Sequence, residues 1–546
     1  MARDRPGGDH HGLRVTLMSY LLHQLLTASA KRRPDAEAVR LLDDALTYGQ
    51  LDRLSNQIAH SLIATGVMRG DRVGIYLHKS PSAIAAIFGI MKTGACYVPV
   101  DANAPGLRLE EIGRQCSFRA LITSQGLYRK LGDSFHRECP MSAIFFVDQA
   151  PEAKLPLPTF TFAADIPQHP REDPAVPVID NDLAYILFTS GSTGVPKGVM
   201  LSHLNALTFV NWGCETFDIT ADDRLSNHAP FNFDLSVFDI FVAIKAGAAI
   251  SLVPEGLAVF PLQLSSFMQD QRITVWYSVP MVLTLLQARG KLEARDLSAL
   301  RWVLFAGEVF PTKHLRALME KLPHPRYANL YGPTETNVCA YYEVEPLSPE
   351  LTAPIPIGKA CANTDLIPIN AEGKRVVTID EEGLLYARGS TVMQGYYGRP
   401  EASAACFIPN PFAAGREEKL YCTGDWVTLD EKGNYLFVGR KDHMIKTRGY
   451  RVELGEIEAV MVAHPAVDEA VALPIPDEAI GNAIHAVVTI ANSQSLDATR
   501  LKQHCAEKLP AYMVPEKIEF RDSLPRTDNG KIDRRRLVSE LTPATK

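Results

Sequence analysis

The stretch 183–203, LAYILFTSGSTGVPKGVMLSH, runs an apolar segment into a loop of threonine, serine and glycine that ends on a lysine. Small residues let backbone N–H groups approach an anion closely, and hydroxyls with the Lys197 ammonium add donors and charge, which is what cradling a phosphate requires. A glycine-rich stretch alone is more often a plain surface turn; the order strand, hydroxyl–glycine loop, lysine favours phosphate here. It is not a Walker A loop, because Pro196 precedes the lysine and Gly198 follows it, where that pattern needs glycine before and Ser or Thr after.

Such a loop needs a scaffold. Leu51, Leu54, Ile58 and Leu62 recur at helical spacing, RVGIYL (72–77) reads as a strand, 81–91 as an apolar helix, and CYVPV and ALIT as further strands. Strands alternating with helices predict an α/β fold with largely parallel sheets. The Pro- and Asp-rich stretch 151–177 reads as a surface connection. Near Gly439 the pattern changes. NYLFVG reads as a strand, GRKDHMIKTRGYRVELGEIE is dense in charge and glycine, and a helix at 455–462, strands EAVALPI and AIHAVVTI and a helix at 497–509 follow. This places an N-terminal domain at 19–439, a hinge at 440–442 and a small C-terminal domain at 443–546, with a polar, mobile extension at 1–18.

With 546 residues, 46% of them hydrophobic, the chain has ample material for a core of several units. A formal net charge of −7 carries no basic excess for nucleic acid. Nine cysteines without CxxC or Cys/His ligand spacing read as reduced thiols of a cytoplasmic protein. No signal-peptide h-region follows the first residues, and the apolar stretch 83–91 is too short to span a bilayer. A small molecule or another protein is the expected partner.

TSGSTGVPKGV resembles the signature loop of the adenylate-forming superfamily, which includes acyl-CoA synthetases, luciferases and the adenylation domains of non-ribosomal peptide synthetases. Further stretches similar to that family follow in its order: LTYGQLD, MKTGACYVPVD, FNFDLSVFD, NLYGPTET, YCTGD, GRKDHMIKTRGYRVELGEIE and LPRTDNGKIDR. The resemblance covers the chain from about residue 20. It implies a large multi-layered adenylation domain and a small mobile α+β C-terminal domain, with ATP and Mg2+ as cofactors. Thr189, Ser190, Thr193 and Lys197 would line the phosphate loop, with Gly307 beside the nucleotide. Tyr331 would stack on adenine, Asn329 bond its edge, Thr334 hold the α-phosphate and Asp425 with Arg440 take the ribose. Glu335 would ligate magnesium, a hard cation suited to carboxylate oxygen. Alone, Asp425 would pass for a turn residue after Gly424 and Glu335 for a helix-start carboxylate.

Lys531, otherwise an ordinary surface lysine, would bridge substrate carboxylate and phosphate while the acyl-adenylate forms. Losing one such group typically costs about a hundredfold or more in rate. In the second step a thiol attacks that mixed anhydride. The C-terminal domain rotates about Asp442 between the steps, withdrawing Lys531 and bringing in the loop IKTRGYRVE with Gly449.

Within the family, Asp234 occupies the place of the aspartate that pairs with an amino acid's α-ammonium, although it could also serve as a helix cap before Leu235. The remaining pocket positions by motif are Leu235, Phe238, Tyr277, Leu304, Ala306, Leu330, Val338 and Cys339. This apolar set, narrowed by Phe238 and Tyr277, is similar to the pocket of stand-alone L-proline adenylation enzymes of pyrrole-forming natural-product pathways. Phe238 departs from the leucine expected in many relatives. One methylene is worth only about 1–3 kcal/mol, so valine or pipecolate could leak through. Fifteen residues follow Lys531, too few for a carrier domain. The acceptor thiol is therefore expected on a separate phosphopantetheinylated carrier protein. An acyl- or aminoacyl-CoA synthetase using free coenzyme A and a non-catalytic nucleotide-binding regulator remain as alternatives.

Overall fold

In a computed structural model, Pro81–Lys92 is buried at every position but Ser82, as expected of a helix that is apolar on nearly every side. Ser80 caps it by accepting from the Ala83 N–H at 3.1 Å, and Pro81 takes the first turn, where no N–H is needed. Tyr48–Ala64 lies against it, and at Gly89 a β-carbon would come within 2.8 Å of Ile58. Glycine thus sets how closely the two helices approach. Lys92, at the end of this helix, is buried and satisfied by Asp52 (2.6 Å), Ser55 (2.9 Å) and Asn56 (2.6 Å). The structure describes residues 19–131, 135, 139, 141–152, 154–191, 195–441, 444–477, 480–490, 496–526 and 532–542.

Two sheets with parallel centres share the main core with these helices. Among the described residues one has eight strands, in the order Gly395–Tyr396, Lys197–Ser202, Leu183–Thr189, Cys96–Pro99, Arg72–Tyr76, Ala120–Thr123, Ala143–Phe146 and Thr159–Thr161. The other has nine. Its run Ala249–Leu252, Arg224–Asn227, Val275–Ser278, Trp302–Ala306 and Arg326–Tyr331 is parallel, and Ala340–Glu343 returns antiparallel beside Arg326–Tyr331. A third, antiparallel sheet contains Lys419–Leu429 paired with Tyr435–Arg440. The fold is mixed α/β, as expected, although the sequence had not shown this third layer.

The C-terminal domain follows with the hairpin Met444–Thr447 and Tyr450–Glu453, the helix Leu454–Val462, and a sheet of Val467–Asp477, Gly481–Ile490 and Lys517–Phe520. It has a core of its own around Ile457, Met461, Val488 and Leu501. The expected helix at 497–509 is Ala498–Ala506, started by the Asp497 carboxylate accepting from the Arg500 N–H. All nine cysteines are free, and no described helix is long and apolar enough to cross a membrane.

Candidate functional site

The phosphate-type loop joins two antiparallel strands, Leu183–Thr189 and Lys197–Ser202, in a register that sets Thr189 opposite Lys197 at its base. A β-carbon at Gly191 would lie 1.9 Å from the Val195 carbonyl oxygen, so the loop closes this tightly only with glycine there. The Thr189 hydroxyl is buried and has no hydrogen-bond partner among the described residues. Lys197 lies over the Tyr396 ring at 5.6 Å. Thr193 lies outside the described residues.

Beyond this loop the ends of the parallel strands border a cavity of about 540 Å³, within the range of cofactor sites. Asn329, Tyr331 and Gly307 line it from the large domain, Asp425 and Arg440 from the third sheet, and Lys446 from the C-terminal hairpin. Asp425 and Arg440 are cross-strand partners, joined by a 2.7 Å ion pair, and the Tyr331 hydroxyl donates to the other Asp425 oxygen. The Asn329 amide donates to the Pro356 carbonyl at 2.8 Å.

The segment IKTRGYRVE, expected as a loop, is a hairpin whose strands pair Lys446 with Arg451. Like charges directly opposite on a hairpin are unfavourable unless anions face them. They do here. Arg451 Nη1 lies 2.9 and 2.8 Å from the two Glu335 carboxylate oxygens, and the Tyr396 hydroxyl donates to Glu335 at 2.7 Å. Burial by itself would raise the Glu335 carboxyl, but Arg451 and Tyr396 outweigh it and hold it below the usual carboxylate range. Burial also lowers the Lys446 ammonium, against the attraction of Asp425. Gly449, at the tip of the hairpin, donates to Glu308 at 2.5 Å.

A second cavity, of about 50 Å³, lies beside the first. That is room for about three to five waters, and so for a compact ligand only. Phe209, Leu235, Tyr277, Ala306 and Val338 give it apolar walls, and Asp234 supplies a carboxylate. Asp234 sits at the start of a short helical turn, Leu235–Val237, yet its side chain caps nothing. It accepts instead from the Thr334 hydroxyl at 2.8 Å. Burial pushes its carboxyl above the ordinary range, opposed by the Thr334 bond and by Lys446.

The sequence profile of AMP-binding enzymes matches residues 26–397, and that of the AMP-binding enzyme C-terminal domain matches residues 456–531. The chain belongs to the AMP-binding enzyme family. It is 39% identical to an L-proline–[L-prolyl-carrier protein] ligase of Pseudomonas fluorescens, over 95% of this chain and 99% of that protein. It is 37% identical to a ligase of the same name from Streptomyces coelicolor, over 92% of this chain and 93% of that protein. The amide bond synthetase McbA of Marinactinospora thermotolerans superposes with a TM-score of 0.84 at 22% identity, covering 96% and 100% of the two chains, a likeness of fold.

In this AMP-binding enzyme Asp234, Leu235, Tyr277, Ala306 and Val338 reach the small cavity. Phe238, Leu304 and Cys339 are fully buried and absent from its wall, and Leu330 borders the larger cavity. Phe238 packs edge-on to Tyr277 at 5.4 Å and near Phe209 at 6.1 Å, so it shapes the pocket through those rings. Asp442 and Lys531 lie outside the described residues. Sequence reasoning passed over Phe209, Phe233, Asn337, Lys446 and Arg451. Asn337 sits at φ 52°, ψ −147°, a conformation few non-glycine residues adopt, held by the Tyr185 hydroxyl at 3.2 Å. Arg451 and Lys446 had a signal: two cations placed symmetrically about the Arg448–Gly449 turn of a hairpin.

Proposed function

We propose that this enzyme uses ATP to activate a small amino acid, L-proline, as its aminoacyl-adenylate, releasing pyrophosphate, and then passes the acyl group to the phosphopantetheine thiol of a separate carrier protein. Asp234 carries the reading. It is a carboxylate that caps no helix and stands on the wall of a small cavity whose other charged groups, Lys446 and Arg451, lie on the C-terminal hairpin; an α-ammonium in the cavity would pair with it from the substrate side. The size of the cavity favours a compact aliphatic ligand, and the two proline ligases at 37–39% identity support proline.

Asp234, oriented by the Thr334 hydroxyl, holds the ammonium, while the ring of the substrate meets Phe209, Tyr277 and Val338. Asp425 and Arg440 bind the ribose side of the nucleotide, and Thr189 and Lys197 its phosphates. Lys531 neutralises the approach of carboxylate to phosphate in the first step. The residues fit a magnesium ion at one point: Glu335 is a buried carboxylate held ionised. Among the described residues no cluster of three acidic, His or Cys side chains could hold a metal unaided. Phosphate oxygens and waters would therefore complete its coordination, and the ion would supply electrostatic stabilisation of the phosphate charge.

We place the swivel between the steps at 440–442, about Asp442. With Gly449 donating to Glu308 and bordering the small cavity, the hairpin is in the arrangement suited to thiol transfer, its glycine leaving room there for a narrow thiol arm.

A thioester trap tests the acceptor. The enzyme, ATP, magnesium and labelled L-proline are mixed with a phosphopantetheinylated carrier protein or with free coenzyme A. Label appearing on the carrier protein supports the reading; label on coenzyme A alone sinks it.

A further inference from the structure

Gly213 lies inside the helix His203–Thr216, where alanine would be the better helix former. The reason is a neighbour. A β-carbon there would come 2.8 Å from the edge of the Phe238 ring and 3.4 Å from a Val242 methyl. Phe238, fully buried, fills the space that the glycine leaves. Its ring meets Phe217 at 5.8 Å, Phe209 at 6.1 Å and Tyr277 at 5.4 Å. Phe217 has no room to yield, being enclosed by Trp302 at 5.0 Å, Trp212 at 5.5 Å and Tyr341 at 6.3 Å. Phe209 and Tyr277 do have room, because both stand on the wall of the small cavity. Phe209 is also one turn before Gly213 on the same helix face. One helix thus supplies part of the wall and the gap behind it.

We infer that Gly213 is a specificity-determining residue of the amino-acid pocket: it sets the size of the cavity by giving Phe238 a place to stand behind the wall. The cause is steric. Protein interiors are close-packed, so a methyl added at Gly213 displaces the Phe238 ring rather than being absorbed. The ring moves toward Phe209 and Tyr277, and these close on a cavity of about 50 Å³. Losing about one methylene of room there falls on a larger substrate before a smaller one. Conversely, shortening Phe238 leaves a void into which Phe209 and Tyr277 relax, and a larger ring is admitted. Gly213 is not on the cavity wall; it acts through Phe238, as a positioning residue. The inference rests on the small cavity being the amino-acid pocket and deepens that reading, with no need of the assignment to proline.

The test is ATP–pyrophosphate exchange by the full-length enzyme at varied amino acid and then varied ATP, with Gly213→Ala, Phe238→Leu and the double variant. The best substrate of the native enzyme is the reference, compared with a smaller and a larger amino acid; for L-proline these are L-alanine and L-pipecolate. Gly213→Ala is expected to raise the KM for proline about tenfold or more and that for alanine much less, with the KM for ATP within about twofold. Phe238→Leu should raise the pipecolate-to-proline ratio of kcat/KM about tenfold. With leucine in place the added methyl has room, so in the double variant Gly213→Ala should change neither that ratio nor the Tm appreciably. This rescue separates positioning from general damage, and it decides the matter even where Gly213→Ala alone fails to fold. Equal losses for proline, alanine and ATP in Gly213→Ala, or a Gly213→Ala effect that is the same with and without Phe238→Leu, would overturn the inference. A native preference for another amino acid overturns the proline assignment alone, since the comparison is then made around that substrate.

Discussion

Gly449 stands so close to Val279 that a β-carbon on it would lie 2.4 Å from a valine methyl, and its φ of 82° already favours glycine. The hairpin of the C-terminal domain and the strand end of the large domain meet there with no room for a side chain. Gly449→Ala is therefore expected to hinder docking and to lower thiol transfer by at least a hundredfold, while ATP–pyrophosphate exchange falls far less. Single-turnover transfer from preformed aminoacyl-adenylate, run beside exchange, checks the split. Equal losses in both would show that the hairpin is not specific to the second step.

Asp234 must be ionised to hold an ammonium, and burial raises its carboxyl above the ordinary range. Its charge is thus present above that raised value and lost as pH falls through it. The KM for the amino acid should climb toward acid by about tenfold per pH unit below that point. Thr334, Lys446 and Glu335 surround it and set where the climb begins. In Asp234→Asn the acid limb should vanish, leaving a high KM across the range. A limb that persists in this variant belongs to another group.

Asp239 is buried, with Asn227 donating to one oxygen at 3.0 Å and no hydrogen-bond partner at the other among the described residues, and burial holds its carboxyl well above the ordinary range. A carboxyl raised on folding costs stability as pH rises from its unfolded value toward its folded one. Asp239→Asn should therefore stabilise the protein increasingly across that interval, by about 1.4 kcal/mol per pH unit at most. Thermal unfolding from pH 5 to pH 8 checks this; a stabilisation that shrinks with rising pH contradicts it.

Asp425 takes both the Tyr331 hydroxyl and the Arg440 guanidinium. Asp425→Ala leaves Arg440 without this partner and removes an acceptor from the larger cavity. The KM for ATP should rise tenfold or more, with a smaller change in the KM for the amino acid, as read by exchange at varied concentrations of each. The opposite split would move Asp425 out of the nucleotide site.

Local order was legible in the sequence because it depends on local chemistry. In the apolar repeat of Tyr48–Ala64, Leu51, Ile58 and Leu62 are buried and Leu54 is half-buried against the same core, and Ser80–Pro81 starts the helix that follows. The loop after Thr189 was recognisable from its glycines and lysine. The wall of the small cavity was not, because Phe209 reaches it from a helix far from the Asp234 motif. Nor was Glu335's partner: Arg451 is 116 residues away in sequence, and which face of the hairpin it takes depends on register. Phe238 was expected at the cavity wall from its place in the motif. It stands one layer back because the irregular helical stretch Phe238–Val242 turns it into the aromatic cluster with Phe209, Phe217 and Tyr277.

If Asp234 and its small cavity select the amino acid for adenylation, exchange must follow both. ATP–pyrophosphate exchange across the twenty amino acids and pipecolate, with Asp234→Ala and Lys531→Ala alongside, tests this most directly. Strong exchange is expected with L-proline, weaker exchange with pipecolate or valine, and a loss of about a hundredfold or more in both variants. Exchange that is strongest with an acid lacking an α-amine, or that survives Asp234→Ala undiminished, would contradict it.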